Sequence, residues 1–379
     1  MKTFRTIALC TALSLTVPAG GALAQALSRD VGVPLQDAQR LASQGNTSAA
    51  AAKVKAARSA ADTSAERRKV AEMSAYVNTA SGNYTAAARD LESIGAPASR
   101  LAPIYYQAGN FDKAIALGKQ MGGDTGNKIV AQSYIKQGNY QAAADLYTQL
   151  IEQNGPRQDL LENLASAQFK MDDRAAYLET VERLIRLDPT PARWRTLLNN
   201  LKDDLTTRDA QLALYKLLAQ TDNITKPEDY IEFAKFATVA QQPAVALSTV
   251  ERGIENGQLA EEDPQVQSLL QASEGRIQQE RSGFAQLKPG PEGYYRMANA
   301  FYGAEDYKAA AVAYWRSYQM QKDIPSSPYL NQALLGLGIS ALRAGDPALA
   351  KTAFSMVQEN SSFNEVAALW SLYADTTGA

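Results

Sequence analysis

Side chains able to do acid–base or ligating chemistry are few, and their spacing is poor for it. The clearest sets are adjacent acids, Asp172 with Asp173, Asp203 with Asp204, and Glu261 to Asp263. Neighbouring carboxylates can share a proton or hold a cation. Each set, however, falls at a predicted turn or helix end, where acids satisfy free N–H groups and the positive end of the helix dipole. The sequence has no histidine and one cysteine, Cys10. That removes imidazole acid–base chemistry, serine–histidine and cysteine–histidine nucleophiles and the usual zinc ligand sets. There is no Gly-x-Ser-x-Gly elbow, and the glycine-rich stretch Met121 to Gly126 lacks the lysine of a phosphate loop and reads as a loop between helices. The basic run Arg67, Arg68 and Lys69 reads as a solvated helix face. No catalytic residue, metal ligand or cofactor site is expected, which leaves binding as the function class.

The ends and the charge bear on what is bound and where. Lys2 and Arg5, the apolar run Ile7 to Val17 and the small residues Ala22 to Ala24 read as a secretory signal peptide over residues 1–24. Cys10 lies inside its apolar run, with Leu9 where a lipoprotein signal needs a small residue, so no lipid anchor is expected. The run is about half the roughly twenty residues a membrane helix needs, and no later segment is long and apolar enough to span, so no membrane insertion is expected after cleavage. The mature chain would be periplasmic and would hold its fold without a disulfide. With 38 Lys and Arg against 40 Asp and Glu, the formal net charge is −2, which argues against nucleic acid as partner.

A short phrase recurs: Gly82-Asn83-Tyr84, Gly109-Asn110-Phe111, Gly138-Asn139-Tyr140, then the looser Glu305-Asp306-Tyr307 and Gly345-Asp346-Pro347, with an earlier copy at Gly45-Asn46-Thr47. Each lies between two helical patterns, so it predicts a helix–turn–helix corner, Gly and Asn tolerating the left-handed backbone that ends one helix. Around the corners, apolar and small residues recur at i, i+3, i+4 and i+7. The last copy shows this best, with Leu334, Leu337, Gly338 and Ala341 before the turn and Ala350, Phe354 and Val357 after it. Small residues such as Ala131, Ala298 and Gly338, facing Ala143, Ala310 and Ala350, let paired helices approach closely. This pattern resembles the tetratricopeptide repeat.

The resemblance covers nearly the whole mature chain and implies an all-α solenoid of stacked antiparallel helix pairs, a right-handed superhelix of eight or nine pairs. Gly82, Gly109 and Gly138 are only 27 and 29 residues apart, shorter than the family's repeat of about 34. Residues 25–258 are expected to form an N-terminal array. Residues 259–293, punctuated by Pro264, Gly275, Gly283, Pro289, Gly290 and Pro291, are expected to be an irregular joint with two short helical stretches. Residues 294–379 should hold a C-terminal pair and a capping helix bearing Trp370.

In proteins this chain resembles, the free side of each first helix lines a concave groove. The family's spacing puts Tyr76, Tyr106, Lys128, Gln132, Ile135, Asn163, Phe169, Arg195, Asn199, Tyr295, Arg296, Asn299 and Tyr302 there. Such a mix suits an extended peptide. Lys128, Gln132, Asn163 and Arg195 match only in part the clamp that some members use for a partner's C-terminal carboxylate. The reading is a non-catalytic scaffold binding a peptide segment of periplasmic or outer-membrane proteins. A glycan module, with Tyr76, Tyr106, Tyr295 and Tyr302 stacking on sugar rings, is the alternative; a cell-wall enzyme using one acid is a minor one.

Overall fold

The computed structural model describes residues 27–283, 286–324 and 327–377. The expected signal peptide, Cys10 included, lies outside the described residues. Among those residues there are α-helices and short 3-10 turns, and no strand. No helix among them is long and apolar enough to cross a membrane.

The chain divides into two compact units, the first ending at Arg174 and the second running from Ala175. The first holds the pairs α1 (Arg29–Ser43) and α2 (Thr47–Ala60), α3 (Ser64–Ala80) and α4 (Tyr84–Ser93), α5 (Ala98–Gln107) and α6 (Phe111–Met121), α7 (Gly123–Lys136) and α8 (Tyr140–Asn154), followed by α9 (Gln158–Lys170). The second begins with α10 (Arg174–Leu187), α11 (Pro191–Leu201), α12 (Arg208–Gln220), α13 (Pro227–Val239) and α14 (Pro243–Glu255). It continues with α15 (Pro264–Gly283), α16 (Pro291–Gly303), α17 (Tyr307–Gln319), α18 (Leu330–Arg343), α19 (Pro347–Ser355) and α20 (Asn364–Thr377).

The recurring phrase builds the corners by a division of labour. At Gly109, φ is +76°, and its N–H bonds the Tyr106 carbonyl at 3.1 Å while the Asn110 N–H reaches back to Tyr105 at 2.9 Å. These two bonds close the C-terminus of α5 as a Schellman motif. Asn110 itself does not take the left-handed conformation expected of it. Its φ is −88°, and its side chain accepts from the Lys113 N–H, which makes it the N-cap of α6. Asn46, Asn83 and Asn139 cap in the same way, as do Asp306 and Asp346. One dipeptide therefore terminates a helix and starts the next, because Gly serves the carbonyl end and the Asx side chain the N–H end.

Small residues set the helix spacing. Gly118 on α6 meets Gly126 on α7 so closely that a Cβ on Gly126 would lie 2.4 Å from the Gly118 carbonyl oxygen. The stretch expected as a loop thus contributes the first turn of α7, and its glycines serve close packing as well as turning. In the second unit a Cβ on Gly338 of α18 would lie 2.3 Å from the Phe354 ring of α19.

The segment expected to hold two short helical stretches forms a single helix of 20 residues, α15, with Pro264 at its start. Gly275 sits inside it with no atom near its missing Cβ. A lone exposed glycine costs only about 1 kcal/mol in a helix, too little to break one.

The second unit closes on itself. Leu212 to Leu218 of α12 are all buried, so this helix is enclosed on every side. α20 packs on α19 and also on α12. Trp370 is 1 % exposed; its indole N–H donates to the Ala213 carbonyl at 3.0 Å, and its ring stacks on Phe354. Tyr373 packs edge-on against Trp194 and accepts from Gln220, and Asp375 pairs with Arg186 and Lys351. The last helix packs on the last pair and in addition ties it to the opening helices of the unit.

Candidate functional site

The residues with binding potential fall on the first helix of each pair, and burial sorts them. On α7, Lys128, Gln132 and Ile135 are spaced i, i+4, i+7 and so share one face. Lys128 is exposed and the other two are half-buried, while Ile129, Val130 and Ala131 fill the core. On α9, Asn163 is exposed, although its amide is engaged with the Asp159 carbonyl of its own helix at 2.6 Å. Phe169 lies off the stripe of Asn163 and is 65 % exposed, the most exposed large apolar side chain among the described residues.

Earlier in the first unit, Tyr76 is half-buried on α3 and lines a cavity of about 360 Å³ with Leu35, Gln39, Met73 and Arg100. Tyr106 on α5 is half-buried, its ring edge-on to Phe111, and burial raises its phenol pKa. In the second unit, Arg195 and Asn199 are exposed on α11, and the Arg195 guanidinium donates to Asn223 at 3.0 Å. Three members of the partial clamp, Lys128, Gln132 and Asn163, belong to the first unit and the fourth, Arg195, to the second.

α16 repeats the register of α7, with Tyr295, Asn299 and Tyr302 at i, i+4, i+7, but here the middle residue is buried and the two tyrosines are half-buried and packed on other rings. Asn299 is 3 % exposed and accepts a hydrogen bond from the Tyr314 hydroxyl at 2.6 Å. It is a core residue, and its expected place in a groove is corrected: its face is covered within the second unit. Tyr295 packs between Tyr314 and Tyr329. Tyr302 has Tyr307 against it edge-on and the Lys216 ammonium 3.8 Å above its ring. Burial raises the pKa of all three phenols, Tyr295, Tyr302 and Tyr314. Rings engaged in this way are poorly disposed to stack on sugars. Arg296, one residue along, is exposed.

Sequence reasoning missed Lys216. It lies on α12, 9 % exposed, and donates to the Gln242 side chain at 2.7 Å. Burial lowers its pKa to about 7. The signal was present in the stretch Leu212-Ala-Leu-Tyr-Lys-Leu-Leu218, where one lysine interrupts an otherwise apolar run. Among the described residues no three His, Cys, Asp or Glu side chains are gathered as for a metal ion.

A tetratricopeptide-repeat family model matches residues 134–201, and a second tetratricopeptide-repeat model matches residues 332–362. No curated protein sequence matches the chain. Among solved structures, a chain in that of Naa15/Naa10 bound to HypK-THB is 13% identical, with a TM-score of 0.39 over 89% of this chain and 60% of that one. The chain thus spans less than two thirds of that relative's length. Yeast Tom70 is 14% identical, with a TM-score of 0.22 over 93% of this chain and 90% of that one. A tetratricopeptide repeat protein from Parabacteroides merdae is 13% identical, with a TM-score of 0.21 over 80% and 99%.

Proposed function

Because the chain is a tetratricopeptide-repeat protein, a family whose repeats build protein-interaction scaffolds, we propose that it is a non-catalytic adaptor binding an extended peptide segment of a partner protein. The observation that carries the reading is the surface of α7 and α9. There Lys128, Asn163 and Phe169 are exposed and Gln132 and Ile135 half-buried, while the buried stripes of both helices are used by the core. A cation, amides and apolar groups on these helices match what a peptide backbone and its side chains offer. Binding would draw on several modest contacts.

The site of action we propose is the periplasm, and the partners are periplasmic or outer-membrane proteins. The leader pattern of Lys2, Arg5, Ile7 to Val17 and Ala22 to Ala24 supports this. A direct test is affinity capture from envelope extract with the mature chain, beside a variant carrying Lys128→Glu and Phe169→Ala. Proteins held by the first bait and lost from the second are expected. Retention of the same proteins by both baits would remove this surface from the proposal. Fractionation of producing cells tests the compartment, and a chain found in the cytosol with residues 1–24 intact would refute it.

A further inference from the structure

A cavity of about 220 Å³ opens in the second unit where the end of α12, the facing sides of α13 and α14, the α16–α17 corner and the end of α18 meet. Three cations line it: Lys216, Arg252 and Arg343. Every direct partner of these groups is neutral. Lys216 bonds Gln242 and lies over the ring of Tyr302. Arg343 donates to the Gln220 side chain and the Tyr307 hydroxyl, each at 2.6 Å. The Arg252 side chain makes no hydrogen bond or ion pair among the described residues.

The three charges also converge. The fields of Arg252 and Arg343 both reach the Tyr302 phenol, and that of Arg343 reaches the Lys216 ammonium. Asp222 and Glu305 stand on the cavity wall, and Asp209 faces Lys216 from its own helix, but none of these carboxylates is ion-paired with any of the three cations. Holding an ammonium out of water, near a second cation and with Asp209 acting on it only at a distance, without an ion pair, opposes folding. An anion in the cavity would remove that opposition, and guanidinium groups are well shaped to bind its oxygens. Tyr230, Phe233 and Tyr302 supply aromatic walls. A cavity of roughly 150 Å³ is enough to admit benzene, so this one has room for a ring or a short chain.

We infer that this cavity is a binding site for a small organic anion, its carboxylate or phosphate head held by Arg252, Arg343 and Lys216 and its body lying against Tyr230, Phe233 and Tyr302. The site is independent of the peptide surface on α7 and α9. It is tested on the full chain by calorimetric titration and thermal unfolding with three probes: sodium benzoate, inorganic phosphate and benzamide, which has the shape of benzoate without its charge. A saturable rise in melting temperature with benzoate or phosphate, and none with benzamide, is expected. The responding probe separates a carboxylate ligand from a phosphate one. Arg252→Ala, an exposed side chain whose loss leaves the core intact, should raise the Kd at least ten-fold, and Lys216→Met should do the same without loss of stability in the absence of anion. The inference is overturned if neither anion binds better than benzamide, or if anion binding survives Arg252→Ala and Lys216→Met unchanged.

Discussion

Replacing Gly338 by alanine tests whether close helix approach, and not merely helix propensity, holds the second unit together. A Cβ there would lie 2.3, 2.6 and 2.7 Å from three carbons of the Phe354 ring. Carbon atoms attract at about 3.5–4.0 Å, so these contacts are repulsive. The ring has little freedom to yield, since Phe354 is 4 % exposed and stacks on Trp370, itself hydrogen-bonded to α12. Overpacking of this kind costs about 1–3 kcal/mol, against a gain of about 1 kcal/mol from alanine's better helix propensity. A net loss of up to about 2 kcal/mol is expected, or up to roughly 8 °C in melting temperature for a body of about 200 residues. The matched control is Gly275→Ala in α15, where nothing lies within 4 Å and only the propensity gain of about 0.5–1 kcal/mol remains. The chain's three tryptophans, Trp194, Trp315 and Trp370, are all in the second unit, so tryptophan fluorescence during urea or thermal unfolding reads that unit alone. Phe354→Leu should recover part of the loss in the Gly338→Ala background. If both alanine variants stabilise equally, the argument from close approach is refuted.

Four further outcomes follow from the same kind of reasoning. Thr63→Ala removes the N-cap of α3, whose hydroxyl accepts from the Glu66 N–H, and should destabilise the first unit by about 1 kcal/mol, seen as faster hydrogen exchange at the start of α3. Glu66 is held at about 2 by hydrogen bonds from the Ser28 side chain and backbone and from Thr63, so its contribution is present above the ordinary carboxylate range and is lost as pH falls towards 2; Glu66→Gln should flatten the acid limb of the first unit's stability curve. Burial lowers Lys216 to about 7, so above that pH the unfolded chain binds the extra proton and stability should rise between pH 7 and about 9. Lys216→Met should abolish that rise, and an unchanged slope would count against a buried, titrating lysine. Trp370→Phe keeps a ring but deletes the bond to the Ala213 carbonyl, and should cost about 1–3 kcal/mol in urea unfolding of the second unit.

How much of this was legible in the sequence depends on the range of the interaction involved. The corners were legible because everything that makes them lies within six residues: Gly at the left-handed position, Asx at the cap, alanines beyond. The corners without glycine were harder to read. Asp172, Gln241 and Glu305 adopt φ of +60°, +56° and +59°, and such positions show little preference that a single sequence could reveal. Binding residues were legible as a register and not as a surface. Lys128, Gln132 and Ile135 on α7 and Tyr295, Asn299 and Tyr302 on α16 occupy the same spacing, yet Lys128 of the first set is exposed and Asn299 of the second is buried. Periodicity says which residues share a face; what covers the face is decided by helices distant in sequence. Lys216 shows the same limit, since its partners Gln242 and Tyr302 and the nearby charge of Arg343 lie far from it in sequence.

The bond from Trp370 to Ala213 joins residues 157 positions apart. In an open repeat array each module touches only its neighbours, so ends fray singly and folding can begin anywhere and spread. A body whose final helix must find its opening helices gives up that freedom. Its contact order is higher, so closure should make folding slower, and loss of α20 should loosen α12 and α18 together instead of shortening the array by one step. Hydrogen exchange across α10 to α20 would then open as one cooperative block, while the helix pairs of the first unit exchange in graded order from their ends.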